Sequence, residues 1–149
     1  GLDGVHVHGT NTSNLPVESL EVEYPLTLLR YELVSGAGGA GRQRGGMGLR
    51  RVYRAEAPCR VRVDIARRLS APWGLFGGQP GGRAAVLTRG GADPLDHGSG
   101  GLRAGDIIEV MTAGSGGYGA PAERDAEAVR RDVAEGRLTA DAAAAIYNR

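Results

Sequence analysis

The sequence has 149 residues, enough for one domain or for one part of a larger assembly. Its composition is lean for an independent core, because 26 residues are glycine and only 5% are aromatic, and glycine has no side chain to pack. We therefore expect a partner to hold the chain. All 18 basic residues are arginine and the formal net charge is +1. The absence of lysine excludes a Schiff-base lysine and the lysine of a Walker-type phosphate loop. The lack of a run of basic residues argues against a nucleic-acid surface.

Cysteine content and hydropathy narrow the class of protein further. Cys59 is the single cysteine, so neither an internal disulfide nor a cysteine zinc cluster is possible within the chain. No apolar run is long enough to cross a membrane, which leads us to expect a cytoplasmic protein without membrane contact. The first residue is Gly1 rather than Met, which suggests a processed, trimmed or excised chain.

The order of patterns along the chain predicts three parts of one α+β domain. Residues 1–20, rich in turn formers, are expected to form an irregular polar arm. Residues 21–120 are expected to form a β-rich body, and residues 121–149 a C-terminal helical hairpin. The predicted fold is thus mainly β-strands with glycine-rich loops, closed by two helices.

Alternating apolar residues mark the predicted strands. Residues 21–34 have the alternating pattern of an extended segment. The alternation changes register at Leu28-Leu29, which predicts a bulge, and Pro25 predicts an edge strand or a break. The segments LRRVYRAEA and CRVRVDIARR are predicted to pair as a hairpin through Ala57-Pro58. Further strands are predicted at residues 83–88 and 106–112.

Capping residues define the two predicted helices. Asp125 is expected to cap the first helix, which presents Val129 and Val133 on one face and ends at Gly136 in a left-handed conformation. Thr139 is expected to cap a second helix, ADAAAAIYN.

Two histidines near the start of the chain are the most chemically suggestive residues. His6 and His8 would point to the same side of an extended segment. Such a pair holds a metal ion if a carboxylate joins it, but His-x-His is short and common by chance, which favours ordinary polar contacts over a metal site.

The glycine-rich segment GGAGRQRGG admits two interpretations. Its backbone amides can form an anion-binding turn in which Arg42 and Arg44 clamp a phosphate or carboxylate. It lies between two predicted strands and lacks the order of a phosphate loop, so a structural loop between the strands is favoured over an anion or interface contact.

Seven motifs in one order resemble the C-terminal part of the hydantoinase B/oxoprolinase family. They are GTNTSNLPVESLE, YPLTLLRYEL, GGAGRQRGG, PWGLFGGQPG, LRAGD, GSGGYGAPAERDAEAVRRDVAEG and AAAAIY. The chain departs from the family at Gly9, where HMTN is common, and at Ala126, where proline is usual. The glycine at position 9 leaves the backbone conformation after His8 undetermined by the resemblance. The alanine at position 126 does not affect the prediction that Asp125 caps the helix.

The resemblance implies an ATP-dependent enzyme made of several components. ATP and Mg²⁺ would bind a hydantoinase A-type partner, and a divalent metal is possible in the rest of the B-type component. The substrate would be a cyclic amide such as a hydantoin, 5-oxoproline or a lactam. Ketone carboxylation is the alternative activity, a non-catalytic assembly module is the alternative role, and the isolated chain is expected to be inactive.

Candidate residues at a substrate site or subunit interface follow from the same resemblance and from side-chain chemistry. They are His6, His8, Asn11, Thr12, Asn14, Glu18, Arg42 and Arg44. The sequence assigns a catalytic role to none of these residues, and its only candidates for metal binding are His6 and His8.

Overall fold

A computed structural model describes residues 1–5, 13–95 and 97–147 of the chain. The described elements comprise three α-helices, six strands and a short 3-10 turn. In chain order they are α1 (Val17–Glu23), β1 (Leu26–Leu33), β2 (Leu49–Ala55), β3 (Cys59–Val63), β4 (Ala85–Arg89), β5 (Gly98–Leu102), β6 (Ile107–Met111), the 3-10 turn (Pro121–Glu123), α2 (Ala126–Ala134) and α3 (Ala140–Tyr147). The predicted α+β class, mostly sheet with a C-terminal helix pair, is confirmed.

The strands form two sheets that share one hydrophobic core. The larger sheet has the order β1-β2-β6-β4 with antiparallel neighbours, and β3 and β5 form a separate antiparallel ribbon. One end of the sheet packs against the ribbon through buried side chains from both: Ala55, Val63, Val86, Leu95, Leu102 and Ile108. The other end of the same sheet face is free of the ribbon, and the candidate site lies there.

The first strand confirms one prediction and corrects another. The register of β1 against β2 shifts between Leu28 and Arg30, as the phase slip predicted. Helix α1 occupies Val17–Glu23. For these residues, the predictions of an irregular arm up to residue 20 and of an extended segment from residue 21 are therefore wrong. Pro16 fixes φ just before the helix and its carbonyl accepts from the Leu20 amide, so the alternation of Val22 and Tyr24 does not specify a strand there.

The predicted hairpin through Ala57-Pro58 is also wrong. β2 pairs with β1 and β6, whereas β3 pairs with β5, a strand that the sequence did not indicate. The β5 sequence GSGGL has glycine at three of five positions, which is atypical of strands. Val61 of β3 lies opposite Gly100, so the ribbon leaves room for Leu95 to pack beside that glycine.

The three glycine-rich segments, residues 36–48, 72–82 and 113–119, pack against one another as a structure that we call the glycine junction. The amides of Gly39, Gly82 and Gly117 donate to carbonyls of Ser115, Ala37 and Gln79 respectively, at 2.7–2.9 Å. A Cβ built on Gly45 would lie 2.0 Å from the Ser115 carbonyl oxygen, and one on Gly117 would lie 2.1 Å from that of Ala40. The segments therefore approach at backbone distance, which only glycine permits.

The C-terminal helices form as predicted. Asp125 accepts from the Ala128 amide at 3.0 Å, Gly136 adopts φ +71°, and the Ala142 amide donates to the Thr139 hydroxyl at 3.2 Å. The helices pack on each other through Val129, Leu138, Ala143 and Tyr147, and Ala40 of the glycine junction completes this second core. Within the described ranges, no helix is long and apolar enough to span a membrane.

Candidate functional site

A groove runs along the free end of the larger sheet, between the sheet and the N-terminal residues. It consists of a cavity of about 380 Å³ and a neighbouring one of about 180 Å³, both lined by Asn14 and Arg51. The larger cavity is lined by apolar side chains, with Thr112 and Ser115 as polar groups, and the smaller contains Tyr31 and Tyr53. A mostly apolar concavity with a few polar groups is typical of small-molecule sites.

Strand register explains why Arg51 points into the groove. Arg51 lies opposite Tyr31 of β1 and Val110 of β6, on the same face as the core residue Ala55 four positions on. At the other end of this face no ribbon covers the sheet, so a long polar side chain has space. The alternation that buries Ala55 thus directs Arg51 into the cavity.

The Arg51 guanidinium is held by aromatic residues. Its carbon atom lies 4.7 Å from the centre of the Tyr31 ring, and Nη2 donates to the Tyr31 hydroxyl at 3.1 Å. The Asn14 amide reaches the same hydroxyl at 3.5 Å. No carboxylate of the described residues forms an ion pair with Arg51. Arg51 is therefore an oriented cation with room for an anionic or carbonyl group.

Arg44 has a different environment, a buried ion network behind the groove. Its Nη1 and Nη2 each donate to a different oxygen of Asp3, both at 2.9 Å, and its Nε lies 3.5 Å from Asp132. Asp132 is 2% exposed and also pairs with Arg124 at 2.6 Å and with Arg137 at 3.5 Å. The network joins the N-terminal residues, the glycine junction and α2, and its members already have partners.

Hydrogen bonding fixes the charge of Asp3 in this network. The Arg44 guanidinium, against the opposing effect of burial and together with the Met47 amide at 2.8 Å, holds the pKa of Asp3 below its usual value. Met47 itself lines the larger cavity. The ionised Asp3 therefore supports one wall of the groove.

Arg42 lies on the opposite side of the glycine junction and is exposed. Its guanidinium stands 5.9 Å from the centre of the Tyr118 ring and 3.7 Å from a Glu123 carboxylate oxygen. The two arginines that the sequence placed together in one anion clamp thus have separate surroundings. The amides of Arg42, Gln43 and Gly45 donate to carbonyls of the junction, which agrees with the structural interpretation of GGAGRQRGG as a connection between two paired strands.

The remaining candidates divide into described and undescribed residues. Asn14 lines the groove, whereas Glu18 is exposed on α1 and no hydrogen bond or ion pair joins its carboxylate to another described residue. His6, His8, Asn11 and Thr12 lie outside the described residues, so their predicted roles stay predictions. Within residues 1–5, 13–95 and 97–147, no group of three histidine, cysteine, aspartate or glutamate side chains could hold a metal ion.

The sequence interpretation missed Arg51 and Tyr31. In LRRVYRA both alternating sets contain an apolar residue and an arginine, so the alternation does not say which arginine faces inward. The register shift in β1 obscured the pairing of Tyr31 with Arg51. Alignment of the two strands after the bulge would have placed an aromatic ring beside this arginine.

Comparison with known proteins supports the resemblance seen in the motifs. The profile of the hydantoinase B/oxoprolinase family matches residues 1–121. An uncharacterised protein of Methanocaldococcus jannaschii is 41% identical over 132 residues, which cover 85% of this chain and 23% of that protein. The 5-oxoprolinase 1 of Arabidopsis thaliana is 36% identical over 128 residues, covering 80% of this chain and 10% of that protein.

A solved structure shares the fold. The ATP-dependent caprolactamase from Pseudomonas jessenii aligns with a TM-score of 0.72 and 26% identity, over 89% of this chain and 24% of that one. The chain thus spans about a quarter or less of the length of these relatives.

Proposed function

Because the chain belongs to the hydantoinase B/oxoprolinase family, we propose that it forms one part of an ATP-dependent enzyme that opens a cyclic amide. The substrate would be a hydantoin, 5-oxoproline or a lactam, as the names of the relatives suggest. The observation that carries the proposal is the groove around Arg51, which offers an oriented cation and an apolar wall to a small carbonyl compound.

The partners of the chain are part of the same proposal. Many amides of the glycine segments donate to carbonyls within the chain, which supports placing the nucleotide on another component. We assign ATP and Mg²⁺ to a hydantoinase A-type partner, and any divalent metal to the rest of the B-type component. The isolated chain would then be inactive.

Arg51 would act on the charge that develops during ring opening. Hydrolysis of a cyclic amide adds water to the carbonyl carbon, breaks the carbon–nitrogen bond and yields a carboxylate and an amine. Negative charge collects on the carbonyl oxygen, and a guanidinium held against an aromatic ring can stabilise it. Asn14 and the Tyr31 hydroxyl would position the remaining polar atoms. The predicted contributions of His6, His8, Asn11, Thr12 and Glu18 belong to the same proposed surface.

Activity in a reconstituted complex tests this proposal. The chain would be combined with the A-type protein and the remaining B-type polypeptide, and ATP hydrolysis measured with a hydantoin, 5-oxoproline and caprolactam. We expect Arg51→Gln to lower substrate-dependent ATP turnover about 10- to 100-fold, the loss associated with a charged hydrogen bond. Arg54→Gln is the matched control, because Arg54 lies on the other face of β2 and pairs with Glu56.

Four outcomes would each contradict a different part of the proposal. Unchanged turnover in the Arg51→Gln complex would exclude the groove, and unchanged turnover in the His8→Ala and Glu18→Gln complexes would exclude those residues. Turnover that requires a ketone and bicarbonate, with no response to cyclic amides, would replace hydrolysis by carboxylation. Full assembly without any effect of groove substitutions would identify the chain as a non-catalytic module.

A further inference from the structure

An exposed aromatic surface lies on the glycine junction, on the side of Arg42. It consists of Trp73, Leu75, Phe76 and Tyr118, flanked by Arg42 and Arg67, and we call it the aromatic surface. Trp73 is 66% exposed and Phe76 is 77% exposed, although these are the only tryptophan and the only phenylalanine of the chain. Contiguous exposed apolar side chains with a polar rim mark interaction sites.

The two unusual backbone conformations of the described chain both occur at this surface. Among the described residues other than glycine, only Arg67, at +64°, and Phe76, at +50°, have a positive φ. Such a conformation is unfavourable for a bulky side chain and persists only where the surroundings impose it. Phe76 and Gly77 form the centre of a turn closed by the Gly78 amide, which donates to the Leu75 carbonyl at 3.0 Å. This turn presents the Phe76 side chain to solvent.

The surface is rigid because the glycine junction holds it. The Leu75 amide donates to Gly117 and the Leu75 carbonyl accepts from Gly119, both at 2.9 Å. The Phe76 and Tyr118 rings are 5.1 Å apart, and Arg67 lies 4.9 Å from the centre of the Trp73 ring. A preorganised surface of this kind loses little side-chain freedom on binding.

The charge at the surface selects the occupant. Arg42 and Arg67 lie beside exposed rings, and the approach of Glu123 to Arg42 shows that a carboxylate fits beside Tyr118. A second copy of the chain would bring the same two arginines to the contact, so the net positive charge of the surface would be doubled rather than neutralised. An apolar segment with acidic side chains would cover the rings and neutralise the guanidinium groups.

We propose that the aromatic surface docks an acidic, apolar segment of the hydantoinase B-type polypeptide that this chain does not span. This inference rests on the proposed function. The relatives contain further polypeptide, since the chain covers 23% of the archaeal protein and 24% of the caprolactamase. Arg and aromatic residues are also the types that dominate binding at protein interfaces.

The single tryptophan provides the test. The chain is labelled with 5-fluorotryptophan, so that one ¹⁹F resonance reports Trp73, and is mixed with the unlabelled A-type protein and the remaining B-type polypeptide. On assembly we expect this resonance to shift and to lose its response to a change from H₂O to D₂O. Raising the salt concentration and the substitution Arg67→Glu are each expected to weaken assembly.

Phe76→Gly separates docking from folding. Glycine accepts the positive φ at residue 76, so the isolated variant should unfold at the same or a higher denaturant concentration than the unsubstituted chain. Its assembly should nevertheless be at least tenfold weaker. Val22→Ala is the control, because Val22 is an equally exposed apolar residue on α1, and its assembly should be unchanged.

Three outcomes would overturn the proposal. An unchanged Trp73 resonance in an assembled complex would exclude docking through this surface while leaving the proposed function intact. Self-association of the chain through Trp73 would make a second copy the occupant. Failure to assemble with any B-type polypeptide would remove this proposal and the proposed function together.

Discussion

The larger sheet and the β3–β5 ribbon, which together we call the β body, bury their polypeptide differently from the glycine junction. In the β body, side chains such as Val86, Leu102 and Ile108 fill the space between sheet and ribbon. In the junction, glycines such as Gly45 and Gly117 leave no such space, and carbonyl oxygens lie where a Cβ would be. Side chains can shift when one of them changes, whereas packed backbone cannot, so the junction should be far less tolerant of substitution.

The same difference explains where the candidate surfaces lie. Met47 and Ser115, which belong to the junction, line the groove, and Leu75 and Tyr118 carry the aromatic surface. The junction thus positions two surfaces with backbone hydrogen bonds rather than with a large side-chain core. A composition rich in glycine and poor in aromatic residues supplies little side-chain core, but it suits a structure held by backbone hydrogen bonds.

The largest expected effect comes from a single methyl group in the junction. Gly117→Ala would place a Cβ 2.1 Å from the Ala40 carbonyl oxygen, and we expect a loss of stability above the about 1–3 kcal/mol typical of an overpacked core. Gly101→Ala in β5 is the control, since nothing lies within 4 Å of its Cβ, and it should change stability by less than about 0.5 kcal/mol. Urea unfolding measures both, and equal effects would refute the comparison.

The ion network that supports the junction should give an effect of comparable size. Asp132→Asn leaves three arginines around one neutral side chain, and breaking a buried pair costs about 3–5 kcal/mol before relaxation. Glu127→Gln on the same helix removes an exposed pair with Arg130 and should cost less than about 0.5 kcal/mol. A small loss for Asp132→Asn in urea unfolding would mean that the network contributes little to the junction.

A conservative change in the β body should have a smaller effect. Ile108 is buried in the shared core, and Ile108→Val should cost about 0.5–1.5 kcal/mol because neighbouring side chains partly fill the space. The measurement is the urea midpoint at constant slope. A loss as large as that of Gly117→Ala would indicate that the β body is no more tolerant than the junction.

The smallest expected effect is a dependence of stability on pH to which both regions contribute. Hydrogen bonding lowers the pKa of Asp3 in the ion network, and the amides of Arg103 and Gly91 lower the pKa of Asp106 in the β body. A lowered folded-state pKa stabilises the protein above the unfolded value of about 3.9, and this stabilisation is lost as the pH falls through the folded value. Stability should therefore fall below about pH 4.

Asp3→Asn tests the contribution of the junction to this acid sensitivity. The variant should be less stable than the unsubstituted chain at pH 7, and the difference should shrink as the pH falls below the unfolded value of about 3.9, because the unfolded chain then takes up a proton that the folded Asp3 carboxylate resists. Asp106→Asn, in the β body, should likewise lower stability at pH 7, and this loss should also shrink toward low pH. A difference for Asp3→Asn that grows toward low pH would contradict the assigned direction of the pKa.

Local signals predicted the parts of the fold that depend on neighbouring residues. The caps at Asp125 and Thr139 and the left-handed Gly136 follow from side-chain chemistry within a few positions. The bulge near Leu28 follows from a change in alternation. Helix α1 was missed because Pro16 starts a turn that the alternation of Val22 and Tyr24 conceals.

Long-range pairing could not be predicted in the same way. The partner of β3 is β5, a glycine-rich strand with almost no strand propensity of its own. Arg42 and Arg44 are two residues apart, yet one is exposed beside Tyr118 and the other is buried with Asp3. The environment of Arg51 likewise depends on Tyr31 across a strand register that shifts midway.

Hydrogen exchange of backbone amides in the free chain tests the central claim that the glycine junction is a rigid platform. The amides of Gly39, Gly45 and Gly117 donate to junction carbonyls at 2.8–2.9 Å, so we predict protection within about tenfold of that of Val52 and Ile108 in the sheet. Exchange of the glycine amides at the rates of an unstructured peptide, with the sheet still protected, would contradict the claim.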